Sequence, residues 1–265
     1  MISSPSNGAV KQIRALRARK AREETGLFLV EGIRIVTEAA ELGADIESLM
    51  VAPDLLTSDH ARGVVQRLEA RGVPVLQVSP RVFGTISVKE HPQGIAATVR
   101  QRWERLEDVT PGDELCWIAL DAVADPGNLG TILRTSDAAG GAGVILLGHT
   151  TDPYDPAALR ASMGAVFAQR LVRAEAADLQ AWKRRHRVFA VGTSDAATTG
   201  YREAPYRRPL LLVMGSERQG LSTGVASLCD VIVSIPMRGQ SDSLNLAVAT
   251  GIMLYTILDR RDAAE

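Results

Sequence analysis

The sequence predicts an α/β protein of two domains, the second built on a mainly parallel sheet, and three observations carry that prediction. Short runs rich in Val, Ile and Leu alternate with longer amphipathic segments along the chain, the pattern of strands joined by helical crossovers. Charges become dense from Arg100 to Glu114 and end at Pro111-Gly112, a composition shift that marks a boundary. In the second half, three apolar runs break into glycines and a few polar residues, the arrangement that gathers a ligand at the ends of parallel strands. With 265 residues, 46% of them hydrophobic, the chain can bury a core in each half.

The first domain is expected over 1–105. It opens on Val10 to Arg22, a basic helix or arm in which Lys11, Arg14, Arg17, Arg19, Lys20 and Arg22 precede the first acidic residue, Glu23. Such a concentration of cations suits RNA phosphates, and equally a solvated helix face or a tail. Leu27 to Val30 reads as a strand leading into an amphipathic segment from Glu31 to Leu42. Ser48 to Val51 and Val73 to Val78 read as parallel strands around a helix from Ala61 to Ala70, and Gly94 to Val99 as a further strand. Residues 106–115 are expected to be a linker.

The second domain, 116–265, begins with a strand from Cys116 to Ala122 and a turn at Asp125-Pro126-Gly127-Asn128, with Asn128 placed to cap a helix from Leu129 to Ala139. Val144 to Leu147 is a buried strand, Asp155 to Phe167 a helix, and Val188 to Gly192, Leu210 to Gly215 and Val231 to Ile235 are strands. A long apolar helix from Leu244 to Leu258 closes the chain. The alternation gives a mainly parallel sheet with helices on both faces.

Composition narrows the function classes. No apolar run reaches the roughly 18 residues of a spanning helix, and no signal segment opens the chain, so a soluble cytoplasmic protein is expected. Cys116 and Cys229 sit beside apolar stretches and read as core residues, and His60, His91, His149 and His186 are scattered, so no metal site is expected. A formal net charge of -1 excludes a histone-like polycation but leaves room for local basic surfaces, while 4% aromatic residues are too few for an extensive base-stacking platform. The fingerprints of dinucleotide-binding enzymes, P-loop enzymes and zinc hydrolases are missing.

Three clusters carry the chemistry. In the first, Asn128, Gly130 and Arg134 bring a turn and a planar guanidinium fork for phosphate or carboxylate, although a helix cap and a surface ion pair would use the same residues. In the second, the strand ending at Gly215 breaks into a polar loop; Gly215 permits close approach, and Glu217 can accept from a ribose, from Arg134 or from Asn128, or be merely solvated. In the third, Ile235-Pro236-Met237 precedes Ser243-Leu244-Asn245: Ile235 and Leu244 can flank an adenine, while Ser243 and Asn245 start the last helix, either as caps alone or facing a reacting group.

Together the stretches NLGTILRT, LVMGSERQGLS and VSIPMRGQSDSLNLAVA resemble, in order, the three motifs of the SpoU/TrmH group of RNA ribose 2'-O-methyltransferases in the knotted SPOUT superfamily. The resemblance spans Cys116 to Leu258. The opening VKQIRALRARKAREETGLFLVEGIRIVTEA is similar to the ribosomal-protein-L30e-like substrate-binding module often attached to that domain. It implies a trefoil knot, which chain patterning does not reveal, and S-adenosylmethionine as methyl donor. Gly215, Ile235 and Leu244 would line the donor site, with Leu212, Met214 and Met237 beside them. It also implies a homodimer in which Arg134 completes the partner's site.

The same resemblance implies catalytic work for Arg134, Asn128, Glu217, Ser243 and Asn245. A guanidinium stays protonated to above about pH 12, so Arg134 is expected to act by charge and position rather than as the base. Structured RNA, 23S ribosomal RNA before transfer RNA, is the expected substrate, with Lys11, Arg14, Arg17 and Arg22 as candidate contacts. A transfer RNA ribose methyltransferase, a base methyltransferase and a catalytically silent RNA-binding protein stay open as alternatives.

Overall fold

The computed structural model describes residues 1–263, and the chain divides into two compact units: Met1–Gln101 with Tyr154–Leu159, and Arg102–Pro153 with Arg160–Glu265. Residues 264 and 265, which the expected second domain includes, lie outside the described residues.

The first unit holds α1 (Gly8–Ala15), α2 (Arg19–Thr25), β1 (Leu27–Glu31), α3 (Ile33–Glu41), β2 (Ile46–Val51), α4 (Asp59–Ala70), β3 (Val75–Gln77), α5 (Pro80–Gly84) and β4 (Ile95–Arg100). Its sheet runs β1-β4-β2-β3, with β2 and β3 parallel and β4 antiparallel to both its neighbours. Side-chain caps start three of its helices: Asn7 accepts from Ala9 and Val10, Ser58 from Ala61, and Ser79, followed by Pro80, from Val82. Val10, Ile13, Met50, Val82 and Phe83 form its core.

The basic opening is two helices rather than one, because Ala18 is extended between them. This corner consumes two of the arginines expected to meet RNA. Arg22 is 1% exposed; its guanidinium donates to the carbonyls of Leu16 at 3.0 Å and Arg17 at 2.8 Å, which close α1, and pairs with Asp155 at 3.4 Å. A buried cation needs such partners, so Arg22 is a structural staple and not a surface contact. Half-buried Arg17 donates to the carbonyls of Ile86 and Ser87. Lys11 is exposed and Arg14 half-buried.

The second unit starts with a 3-10 turn at Leu106–Asp108 and continues through β5 (Trp117–Asp121), α6 (Pro126–Ala138), β6 (Gly143–Leu147), α7 (Pro156–Ser162, shared with the first unit), α8 (Ala165–Ala168), β7 (Arg170–Ala174), α9 (Ala176–His186), β8 (Phe189–Thr193), β9 (Thr199–Gly200), β10 (Leu210–Met214), α10 (Thr223–Ala226), β11 (Val231–Ser234) and α11 (Leu246–Asp262). Its seven strands are all parallel, in the order β7-β6-β5-β10-β8-β11-β9. Every residue of β5, β6 and β10 is buried, as expected of strands covered on both faces. In the stretch read as a linker, Leu106 and Val109 are buried with Trp117 and Trp182, and the Trp182 indole donates to the Val109 carbonyl at 2.8 Å.

Other departures have local causes. The helix expected from Asp155 to Phe167 breaks into α7 and α8 because Met163 and Gly164 take positive φ values of 51° and 95°. Asp125, not Asn128, caps α6: its carboxylate accepts from the Asn128 amide at 2.7 Å, with Pro126 in the first turn. β7 and α9 escape the sequence pattern, the first because arginines flank its apolar pair, the second because only Leu179 and Trp182 on its eleven residues are buried.

Both cysteines are free. Burial pushes each thiol up to about 12, from an ordinary 9.0; for Cys229, Lys183 opposes the rise and Asp230 adds to it. A raised acid is neutral in the folded chain, so its contribution to stability is intact below pH 9 and is lost as pH climbs toward 12. At pH 8.5 the thiolate fraction is about a thousandfold below that of the unfolded chain. Iodoacetamide at that pH is expected to label both cysteines promptly in denaturant and neither on the same time scale in the native protein, as read by intact mass.

Candidate active site

β8, β10 and β11 end side by side at Thr193, Met214 and Ser234, and the chain leaving them lines a cavity of about 860 Å3. Parallel strands all present their carboxyl ends on one edge, and connections diverging there leave the gap. The wall is apolar at Leu221, Ile232, Ile235, Met237, Leu244 and Leu246, and polar at Thr193, Ser194, Asp195, Ser234, Asp242 and Ser243. Thr193 Oγ1 donates to the Met214 sulfur at 3.5 Å, fixing the floor.

The loop after β10 folds back on itself. Ser216 and Gly220 exchange two backbone hydrogen bonds of 3.0 Å, Gly220 sits at φ 64°, and a β-carbon on Gly215 would overlap the Gly220–Leu221 peptide. Gly215 lines the cavity, but the close approach that requires glycine there is by its own chain. This tight return points Glu217 toward α6.

Three polar side chains from three distant segments then join. Asn245 caps α11, its Oδ1 accepting from Ala247 at 2.9 Å and Val248 at 3.2 Å. With that oxygen committed, its Nδ2 must face outward, and it donates to Asn128 Oδ1 at 2.9 Å. The same argument orients Asn128, whose Nδ2 donates to Glu217 Oε1 at 2.9 Å, while Glu217 Oε2 accepts from the Ala124 amide at 3.4 Å. A backbone cap thus sets the direction of a relay ending on a carboxylate. Asn128 retains one N–H and one oxygen lone pair for a ligand.

Met214, Gly215, Glu217, Ile235, Met237, Ser243 and Leu244 of the expected site residues line the cavity. Leu212 does not: it is wholly buried in the middle of β10, two residues short of the edge. Asn128 and Asn245 join the lining only through Glu217. Arg134 is exposed on α6 and makes no hydrogen bond or ion pair among the described residues. Sequence reasoning missed Thr193, Ser194 and Asp195; the only signal was a polar run directly after the strand Val188 to Gly192.

A model of the SpoU rRNA Methylase family matches residues 116–255, and one of the MRM3-like substrate binding domain matches residues 7–97. The chain belongs to the SpoU rRNA methylase family. This SpoU methylase is 32% identical to the Bacillus subtilis 23S rRNA (guanosine(2553)-2'-O)-methyltransferase RlmP, over 96% of this chain and 97% of that one. It is 30% identical to the Streptomyces viridochromogenes 23S rRNA (uridine(2479)-2'-O)-methyltransferase, over 96% and 91%. The AdoMet-bound rRNA methyltransferase from Sinorhizobium meliloti superposes with a TM-score of 0.90 at 41% identity, covering 98% of this chain and 97% of that one. The SpoU methylase is accordingly an enzyme of the trefoil-knot SPOUT type, with a substrate-binding unit ahead of its catalytic one. Among the described residues no group of His, Cys, Asp and Glu is placed to hold a metal ion.

Changing Asn245 separates the cap from the relay. Asn245→Asp keeps the cap oxygen and loses the donor to Asn128, whereas Asn245→Ala loses both and should cost about 1 kcal/mol of stability. The aspartate variant is expected to melt within a few degrees of wild type yet transfer methyl groups at least tenfold more slowly. Equal rates in thermal melts and transfer assays would remove the relay from catalysis.

Proposed function

We propose that this SpoU methylase transfers the methyl group of S-adenosylmethionine to a ribose 2'-hydroxyl of 23S ribosomal RNA, with the cavity at the strand ends as donor site and the Asn245–Asn128–Glu217 relay as the reacting edge. The relay carries the reading, because it places fixed hydrogen-bonding groups at the rim of a cavity sized for such a donor. The two 23S enzymes at similar identity are named for a uridine and a guanosine, with the ribose oxygen in common. That favours a site built for ribose, with the base chosen elsewhere.

The residues present fit the donor. Leu221, Ile235, Met237, Leu244 and Leu246 suit the flat purine, and the hydroxyls of Thr193, Ser194 and Ser234 with Asp195 suit the ribose and amino acid ends. When bound, S-adenosylmethionine supplies a methyl group on a positively charged sulfur, open to displacement by oxygen. The protein's part is to hold the hydroxyl in line, which alone lowers the barrier substantially. Asn128, locked on both sides, offers its remaining N–H and lone pair to that hydroxyl, and Ser243 borders it. Arg134, free of internal partners, takes the adjoining phosphate and stabilises the negative charge that builds on the 2'-oxygen; as the C–O bond forms and the S–C bond breaks, its electron pair stays on sulfur and the hydroxyl proton passes to solvent water.

The working form is assigned as a homodimer. Val248 is 52% exposed and Tyr255 48%, seven residues apart on one face of α11 with half-buried Ile252 between them. α11 packs on α6, so an apolar stripe lies on the helix beside the one carrying Arg134. A second copy covering it would bring Arg134 to the partner's cavity. Ribosome assembly as the setting implies a cytoplasmic enzyme; among the described residues no helix is long and apolar enough to cross a membrane.

Incubation with labelled S-adenosylmethionine and unmodified ribosomal and transfer RNAs, followed by nuclease digestion and mass localisation, tests the activity. A 2'-O-methyl nucleotide from 23S RNA is expected; a base-methylated product or label in transfer RNA alone would replace the reading. Arg134→Ala is expected to lower transfer at least a hundredfold while donor affinity by calorimetry stays within about twofold; equal loss of donor binding would reassign Arg134 to the donor site. Val248→Glu with Tyr255→Glu should halve the mass seen by light scattering and abolish transfer, whereas an unchanged mass would move the interface elsewhere.

A further inference from the structure

The end of the catalytic sheet opposite the cavity concentrates positive charge that the proposed reaction does not use. The last turn of α9 carries Lys183, Arg184, Arg185 and His186, and Arg187 follows. Leu210 of β10 pairs with Phe189 of β8, so Arg207 and Arg208 emerge beside Arg187. The Phe189 amide donates to the Pro209 carbonyl at 2.8 Å, and the Arg207 guanidinium lies 5.6 Å from the Phe189 ring. All five arginines are exposed.

Some of the acids at this end are held by other groups, while Asp137 in the last turn of α6 and Asp259 and Asp262 in that of α11 are exposed. Asp230, ahead of β11, is held by Lys183 at 2.8 Å and by the Ala190 amide at 2.8 Å, Glu114 lies 4.0 Å from Arg170, and Asp113 is exposed. Arg184, Arg185, Arg187 and Arg207 make no ion pair among the described residues. One cation would satisfy the partial negative charge at the end of α9; the cluster exceeds that. Arg187 adds a second argument. Its φ of 53° and ψ of 38° are left-handed, where glycine or asparagine sits at least cost, so a cation stands where the backbone alone favours glycine. In a chain of formal net charge -1, this is a local excess.

We propose that this face, carried by Arg184, Arg185, Arg187, Arg207 and Arg208, is a second contact surface for RNA phosphates; the proposal rests on the RNA-methylating reading above. Arginine forks match phosphate oxygens, and phosphate contacts position an RNA without reading its sequence. The five-residue strands set the face roughly 17 Å of strand from the cavity edge. An RNA engaging both must be extended and structured. The face therefore acts on capture of large RNA and leaves the transfer step alone.

The test is filter binding of the full-length chain to whole 23S transcript across a KCl series, with donor affinity and single-turnover transfer at saturating RNA measured in parallel. R184A/R185A/R207A is expected to bind at least tenfold more weakly at 100 mM KCl, with the log–log salt slope reduced by about 2 to 3 and donor affinity and saturated transfer unchanged. Arg187→Gly should weaken RNA binding while raising Tm, a combination that a purely structural arginine does not produce. Unchanged RNA affinity and slope in both variants would overturn the proposal, as would unchanged RNA binding with lost retention on phosphatidylglycerol vesicles, which would assign the face to a membrane surface. Weakened RNA binding by the variants of a wild-type protein that makes no ribose methyl product would keep the face and overturn the activity instead.

Discussion

The relay beside the cavity depends on the N-cap of α11. Asn245 has one oxygen and one amino group, and the first turn of the helix claims the oxygen. Everything beyond follows by exclusion: the amino group turns to Asn128, whose amide turns to Glu217. An unsupported asparagine could present either end of its amide at small cost. Here secondary structure decides, so local backbone energetics of about 1 kcal/mol orient groups contributed by residues 117 positions apart.

The cavity obeys a related constraint. β10 is buried along its whole length and β8 in its middle, and the chain diverges where β8, β10 and β11 end, so the cavity arises at their carboxyl edge. Gly215 makes the divergence possible on β10, where the loop returns so tightly that no side chain fits. That return brings the exposed Glu217 within hydrogen-bond reach of Asn128 on α6.

Much of this was legible in the sequence, and the illegible parts share a cause. Buried parallel strands such as Leu210–Met214 announce themselves by unbroken apolar runs; the second and third motif stretches line the cavity, and the first supplies Asn128 to the relay but leaves Arg134 outside both. The role of each arginine was not legible. Arg14, Arg17 and Arg22 look alike in a basic run, yet Arg22 is 1% exposed and ties two carbonyls, and Arg17 ties two more. Whether a guanidinium meets its own backbone or solvent depends on where α1 ends, which one extended residue, Ala18, decides. Asn128 was misplaced by three residues as a cap because Asp125 and Asn128 are equally good caps by type. The edge strand β7 and the polar helix α9 carry too few apolar positions for a period to emerge.

Strand order has a consequence for how the molecule comes into being. β10 lies between β5 and β8, although it follows β5 by some ninety residues in the chain. Until residues 210–214 leave the ribosome, β5 and β8 have no shared neighbour, and each exposes an unpaired edge of buried-type sequence. The cavity and the relay close later still, with β11 and α11. Synthesis of the last fifth of the chain therefore converts an edge-exposed, inactive precursor into an enzyme, and pairings of such long sequence separation make that final closure slow.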